Sequence, residues 1–362
     1  VIPIVRDVVV IEETYAKSCV LYYNDTNDGY GYIRLPKFYA DFNRLGGRTS
    51  GGDMEKEVDK MNKENVKGLI IDVRNNGGGS LIDAVKIAGL FIDKGPIVQV
   101  KTREGSPYIF EDKDERINFS KPLIILTNIF SASASEILAA AMQDYGRAVI
   151  VGDVSTYGKG TVQSFTELDK LTNDNRYKPL GSIKITIQKF YRINGGATQL
   201  KGVIPDIILP NIYNYISDIG EKELEYVMPW SEIDKLPYNK WTSSYKISSL
   251  RMNSDKRVSR DSVFLAINDA ALRLKQQKDQ TKVTLSIDDY RKTQNKIKED
   301  NKRLEEIQKR EISGFKVKYL SDEMNEIEND TIKKSKFENW AKDIRKDVYI
   351  KECVNILKDI NR

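Results

Sequence analysis

Apolar spacing along the first half of this chain switches repeatedly between runs that read as strands and intervals that read as helices. Val8-Val9-Val10-Ile11, Val20-Leu21-Tyr22-Tyr23 and Tyr30-Gly31-Tyr32-Ile33-Arg34-Leu35 predict a β-rich start. The turn-forming Asn24-Asp25-Thr26-Asn27-Asp28-Gly29 between the last two makes them a hairpin, expected at a sheet edge. A glycine-rich loop with Gly46-Gly47 and Gly51-Gly52 leads to a helix opening at Asp53, on which Met54, Val58 and Met61 recur at helical spacing. Leu69-Ile70-Ile71-Asp72-Val73 is instead a short continuous apolar run, the pattern of a strand covered on both faces.

That run ends in Arg74-Asn75-Asn76-Gly77-Gly78-Gly79, and a helix is expected from Ser80 to Ile92. The pattern then repeats: a strand from Leu123 to Thr127, a loop, a helix from Glu136 to Tyr145 and a strand from Ala148 to Val151. Such alternation predicts right-handed βαβ crossovers, a mostly parallel sheet and an α/β fold. Ligands of such sheets sit beyond the carboxyl ends of the strands, where both the glycine triplet and the segment Ser131 to Ser135 fall. A strong strand follows over 181–187, then Gly195-Gly196 and Lys201-Gly202-Val203-Ile204-Pro205-Asp206. Beyond Pro210 the composition turns to lysine, aspartate, asparagine and glutamate. Helical spacing takes over at Val263, Ile267, Ala271 and Leu274, and again at Trp340, Ile344, Val348 and Ile356. Residues 211–362 are therefore expected to form a lysine-rich helical appendage, with basic stretches such as 296–310 as solvated helix faces.

Composition narrows the chemistry more than the fold. A formal charge of +5 over 362 residues, with acids nearly matching bases, argues against nucleic acid. No apolar run approaches the roughly 20 residues of a membrane span, and the start Val1-Ile2-Pro3-Ile4 lacks the layout of a signal peptide. Cys19 and Cys353 have no neighbour at metal-ligand spacing; they are either free thiols or one long-range disulfide. Above all, the chain has no histidine, which excludes the Ser-His-Asp triad, the Cys-His pair and the HExxH zinc site. A serine nucleophile here has only lysine to serve it.

Ser133 and Lys159 are the candidates. Ser133-Ala134-Ser135-Glu136 fits a capping box at a helix start, and any of Ser131, Ser133 and Ser135 suits a plain N-cap. The same helix N-terminus offers free N–H groups to an alkoxide or a tetrahedral oxyanion. Lys159 lies in Thr156-Tyr157-Gly158-Lys159-Gly160-Thr161, which is not a phosphate-binding loop: glycine follows the lysine, and the next residues are strand-like. Acting as a base requires burial to lower its pKa by roughly three units from ~10.4. Gln163, four residues on, either hydrogen-bonds the neutral amine or, as an ordinary strand residue, merely faces solvent. The glycine triplet is either a tight turn or a backbone that approaches substrate closely.

With Leu69 to Gly79, Ser131 to Tyr145, Tyr157 to Gln163, Ile185-Thr186-Ile187-Gln188-Lys189-Phe190-Tyr191-Arg192 and Lys201 to Asp206 all in order, the chain resembles the carboxy-terminal processing proteases, and within them the bacterial tail-specific subgroup. The resemblance covers about residues 1 to 235, with the lysine-rich tail like the extra region of that subgroup. It implies a crotonase-like or Clp-protease-like α/β core and a serine endopeptidase activity. It places the nucleophile on Ser133, the general base on Lys159, a supporting glutamine on Gln163 and oxyanion donors on the amides of Gly79 and Ala134. An aspartate sometimes counted with the dyad falls on Asp144, for which a helix-end cap or ion pair is the alternative. No metal or cofactor is implied. The implied partners are protein or peptide substrates with exposed C-terminal tails, with room for an adaptor protein, in a periplasmic or cell-envelope setting. An extended substrate is expected to add to a sheet edge.

Family members usually carry a PDZ domain, and nothing in residues 1–30 is long enough to be one. The expected organisation is an N-terminal β segment following an absent PDZ domain (1–28), a protease core (29–210) and a helical domain (211–362). The rival reading is an inactive peptide-binding or scaffold fragment whose site does not assemble.

Overall fold

A computed structural model describes residues 12–24, 27–41 and 46–362; the strand expected over Val8 to Ile11 lies outside them. In chain order the elements are β1 (Lys17–Tyr23), β2 (Tyr30–Arg34), α1 (Ser50–Lys63), β3 (Leu69–Asp72), α2 (Leu81–Gly89), β4 (Gly95–Lys101), β5 (Tyr108–Asp112), β6 (Leu123–Leu126), α3 (Ala134–Asp144), β7 (Val149–Gly152), β8 (Thr161–Glu167), β9 (Ser182–Tyr191) and β10 (Ile207–Ile208). Beyond them come α4 (Ile247–Val258), α5 (Ser262–Asp279), α6 (Ile287–Gln308), β11 (Phe315–Lys318), α7 (Met324–Asn329), α8 (Thr331–Lys346) and α9 (Val348–Ile360).

The main sheet has the order β10-β7-β6-β3-β2-β1-β11. Its strands from β10 to β2 run parallel, while β1 and β11 are antiparallel to their neighbours. Because β2, β3, β6 and β7 succeed one another in a single direction across the sheet, right-handed crossovers put α1, α2 and α3 on one face. The core on that face joins Met54, Val58, Ala84, Ile87, Leu138 and Ala141 of these helices to Ile33, Leu69, Ile71, Leu123, Ile125 and Ile150. The alternate strand residues Tyr32, Ile70, Ile124, Leu126, Val149 and Val151 meet a second core. Its other wall is Leu250, Phe264, Ile267, Ile344 and the α9 residues Val354, Ile356 and Leu357. Both faces of β3 are thus covered, as its unbroken apolar run requires, and the second cover comes from the far end of the chain.

Three expectations are corrected. The β1–β2 hairpin does not form the sheet edge, because β11 pairs with β1, Leu21 opposite Val317. Residues 211–362 are not simply helical. They supply that strand, and residues 211–246 are irregular apart from a short 3-10 turn at Glu221–Glu223. This stretch sends its main-chain hydrogen bonds outward to the core, Ile233 N to Gly195 O at 2.9 Å, Leu236 N to Ile193 O at 2.8 Å and Trp241 N to Tyr145 O at 2.8 Å, in place of a helical ladder. Finally, α1 opens at Ser50 with Thr49 as N-cap, so Gly51 and Gly52 lie inside the helix. Gly51 lets α1 approach α2: a Cβ there would stand 2.9 Å from the Asp83 carboxylate.

A second, antiparallel sheet has the order β5-β4-β9-β8. Cys19 and Cys353 are both buried and free.

Candidate active site

Beyond the carboxyl ends of β3 and β6, two loops are bound to each other through Asn76. Its buried side chain donates to Leu35 O at 2.8 Å and accepts from Gly78 N at 2.9 Å, while its carbonyl accepts from Ala132 N at 3.0 Å and Ser135 Oγ at 2.8 Å. The glycine triplet is thereby pressed on the serine turn. A Cβ on Gly78 (φ +97) would stand 2.7 Å from Ser133 Cβ and 3.0 Å from Ala134 N. Gly79 (φ +142) is glycine for packing as well as conformation, since a Cβ would stand 2.1 Å from Phe38 O.

The three serines separate by what their hydroxyls do. Ser131 donates to Val73 O and Ser135 to Asn76 O, each at 2.8 Å, and both residues are buried. These two are structural pins. Ser133 is partly exposed, its hydroxyl donates to no group among the described residues, and its φ of 57° puts it in the left-handed region that β-carbon-bearing residues avoid. Ser133 is the N-cap of α3.

Glu136, noted in the sequence only as half of a capping box, is the hub of the site. One oxygen accepts the N–H of Ser133 at 2.8 Å and that of Lys159 at 2.9 Å; the other accepts Thr156 Oγ1 at 2.6 Å and Gly158 N at 2.7 Å. The residue is fully buried and its hydrogen bonds come only from N–H and O–H dipoles, so desolvation outweighs these four hydrogen bonds and pushes its pKa up to about 7. One carboxylate therefore pins the serine turn to the lysine loop.

Across that bridge, Gly158 adopts φ +89 and Lys159 turns inward to half-buried depth. Desolvation, and then the charge of Lys184, lower its pKa against the weaker pull of Glu221 and Glu136. Its Nζ donates to Gln163 Oε1 at 3.0 Å and makes no hydrogen bond to Ser133. Gln163 reaches it from a β-bulge at Val162/Gln163, where the pairing of β8 with β9 shifts register. A cleft of about 360 Å³ is lined here by Gly77, Phe130, Ala132, Tyr157, Lys159, Gln163, Glu221 and Leu224. Glu221 and Leu224 belong to the irregular segment beyond residue 210, which no motif marked.

Asp144 is not with this group. It ends α3, some 16 Å along the axis from Ser133 by helical rise. There it accepts both guanidinium arms of Arg192, at 3.0 and 2.6 Å, and Asn194 Nδ2 at 2.8 Å. This is the ion pair that the helix end had offered as the alternative role for Asp144, and it ties α3 to the residue following β9.

The fold is of the α/β class, a mostly parallel sheet with a C-terminal helical region. Residues 29–209, half of the chain, match the model of peptidase family S41, and residues 215–362 match the C-terminal domain of tail specific protease (DUF3340). The chain belongs to peptidase family S41. It is 36% identical to the tail-specific protease of Haemophilus influenzae over 314 residues, covering 86% of this chain and 43% of that protein. With the carboxy-terminal processing protease CtpA of Bacillus subtilis it shares 31% identity, over 56% of this chain and 38% of that one. It thus spans less than half the length of these relatives. Among solved structures it is similar to the photosystem II D1 C-terminal processing protease, at 27% identity and a TM-score of 0.44, over 56% of this chain and 49% of that one. Among the described residues no helix is long and apolar enough to cross a membrane.

Proposed function

We propose that this chain carries the chemistry of a serine endopeptidase with a Ser133–Lys159 dyad, acting on proteins with unstructured C-terminal tails. The observation that carries the reading is the Glu136 carboxylate, which receives the main-chain N–H of Ser133 and of Lys159 on one oxygen. No helix cap needs that second bond, and it fixes nucleophile and base against each other.

In the proposed reaction Ser133 Oγ attacks the scissile carbonyl while neutral Lys159 takes the hydroxyl proton. The oxyanion of the tetrahedral intermediate is held by the N–H groups of Gly79 and Ala134, neither of which donates to an acceptor among the described residues. Lys159 then passes its proton to the leaving amine, the C–N bond breaks, and water hydrolyses the acyl-enzyme by the same proton path. Before substrate arrives the amine is parked on Gln163; its swing to Ser133 completes the dyad, as catalytic hydrogen bonds often tighten only in the complex. Residues 29–210 supply the chemistry and 211–362 a wall of the cleft and the second cover of the sheet. The preference for tails is supported by the name of the tail-specific relative, and a periplasmic or envelope setting is part of the same proposal.

The parked lysine also favours a second reading, a site that binds peptides without cutting them. A fluorophosphonate probe decides between the two. Labelling at Ser133 that is lost in Ser133→Ala and slowed in Lys159→Ala supports the peptidase, whereas an unlabelled protein that still binds a tail peptide supports the second reading.

A further inference from the structure

The cleft does not end at Lys159. Gln163 lines it and also belongs to β8, whose chain leads away from the site along the outside of the second sheet. One edge of β8 pairs with β9; among the described residues no strand pairs with the other. The strand Thr-Val-Gln-Ser-Phe-Thr-Glu carries no proline and no lysine, the usual guards of an open edge. Its unpaired main-chain groups are a template for one more strand.

Side chains on this edge point the same way. Gln163 and Phe165 are two residues apart in an extended strand and so share a face, opposite Thr186 and Lys184 of β9. The Phe165 ring is 72% exposed, with Lys184 Nζ 5.7 Å from its centroid. It is the first apolar surface beyond Gln163 on this face, about 7 Å along the strand.

We propose that the substrate chain lies along the free edge of β8 as an added antiparallel or parallel strand, and that Phe165 selects an apolar side chain about two residues from the scissile bond. The proposal rests on the peptidase reading. Main-chain pairing supplies affinity with little sequence demand, and Phe165 supplies the one strong preference at an alternate position. The continuity of the edge with the cleft is what commits it to substrate over a second copy of this chain.

The test uses internally quenched peptides with leucine, alanine or aspartate at successive positions, and a second series with single N-methylated amides. In the wild-type chain one position should favour leucine over aspartate by about tenfold or more in kcat/KM, and Phe165→Ala should collapse that ratio while Phe165→Tyr keeps it. N-methylation should impair cleavage at alternate amides only, the signature of strand pairing. An unchanged leucine preference in Phe165→Ala, or N-methyl effects without alternation, overturns the proposal. So does a concentration-dependent dimer that Phe165→Lys dissociates, since the edge then belongs to a second copy. Failure of the peptidase reading is distinguishable, because fluorophosphonate labelling of Ser133 and peptide cleavage would both be missing from the wild-type chain.

Discussion

The two ends of α3 each carry a carboxylate, and they do opposite things. At the C-terminal end Asp144 meets the guanidinium of Arg192 in a two-armed ion pair, and its charge is matched where it stands. At the N-terminal end Glu136 meets only N–H and O–H donors, so its charge is held by dipoles and burial has moved its pKa to about 7. A matched pair is a fastener that tolerates being far from chemistry. An unmatched carboxylate is costly, and such groups concentrate where a fold must hold functional parts together. The sequence, in which both are acids on one apolar helix, does not separate them; the partners do.

The largest expected effects test the N-terminal end directly. Ser133→Ala and Lys159→Arg should each lower kcat/KM for a tail peptide by about 10⁴-fold or more, with the circular dichroism spectrum unchanged. Arginine remains protonated and cannot accept the serine proton. Retained turnover in Lys159→Arg would remove lysine from the role of base.

Glu136→Gln comes next, with an expected loss on the order of 10²-fold, because the amide offers one accepting oxygen to donors that now share two. Stability should respond in the opposite sense. A folded pKa raised from the ordinary carboxyl value to about 7 gives a contribution that is complete below about 4.5 and lost as pH rises through 7. The difference is on the order of 3 kcal/mol. Thermal midpoints measured from pH 5 to 8 should therefore fall more steeply for the wild-type chain than for Glu136→Gln; parallel curves would contradict a buried, protonatable Glu136.

The pH–rate profile sharpens the contrast further. The carboxylate form of Glu136 and the neutral form of Lys159 are both favoured by raising pH, so kcat/KM should climb from pH 6 upward, the second rise set by the lowered Lys159 pKa below the usual lysine range. A maximum on the acid side would contradict both assignments. The smallest effect on activity belongs to Asp144→Asn, within about twofold per folded molecule, although stability should drop by about 3 kcal/mol because Arg192 is left without its partner. A large loss of kcat without loss of stability would return Asp144 to the catalytic set.

Much of the site was legible because local rules wrote it. The continuous run ending in the glycine triplet, the S-x-x-E helix start and the glycine-flanked lysine each declare a backbone geometry within a few residues. What stayed hidden was set by partners distant in sequence. Nothing in Glu136 itself announces four donors from two segments, and Glu221 and Leu224 reach the cleft from an irregular stretch without a period. The same holds for the fold. Successive crossovers in one direction made one face of the sheet predictable, whereas α9 covers the other face and β11 extends the sheet beside β1, both from the far end of the chain, and their short patterns read as parts of an independent helical domain.

That distant cover has a consequence for how the molecule can be taken apart. Val354, Ile356 and Leu357 of α9 fill the underside of the strands whose loops carry Ser133 and Gly79. A piece cut after residue 210 would hold every proposed reactive residue and still leave Ile70, Ile124 and Val149 facing water. The stretch that reads as an accessory is thus half of the wrapping around the sheet, and the reactive half is not a module that can be lifted out alone.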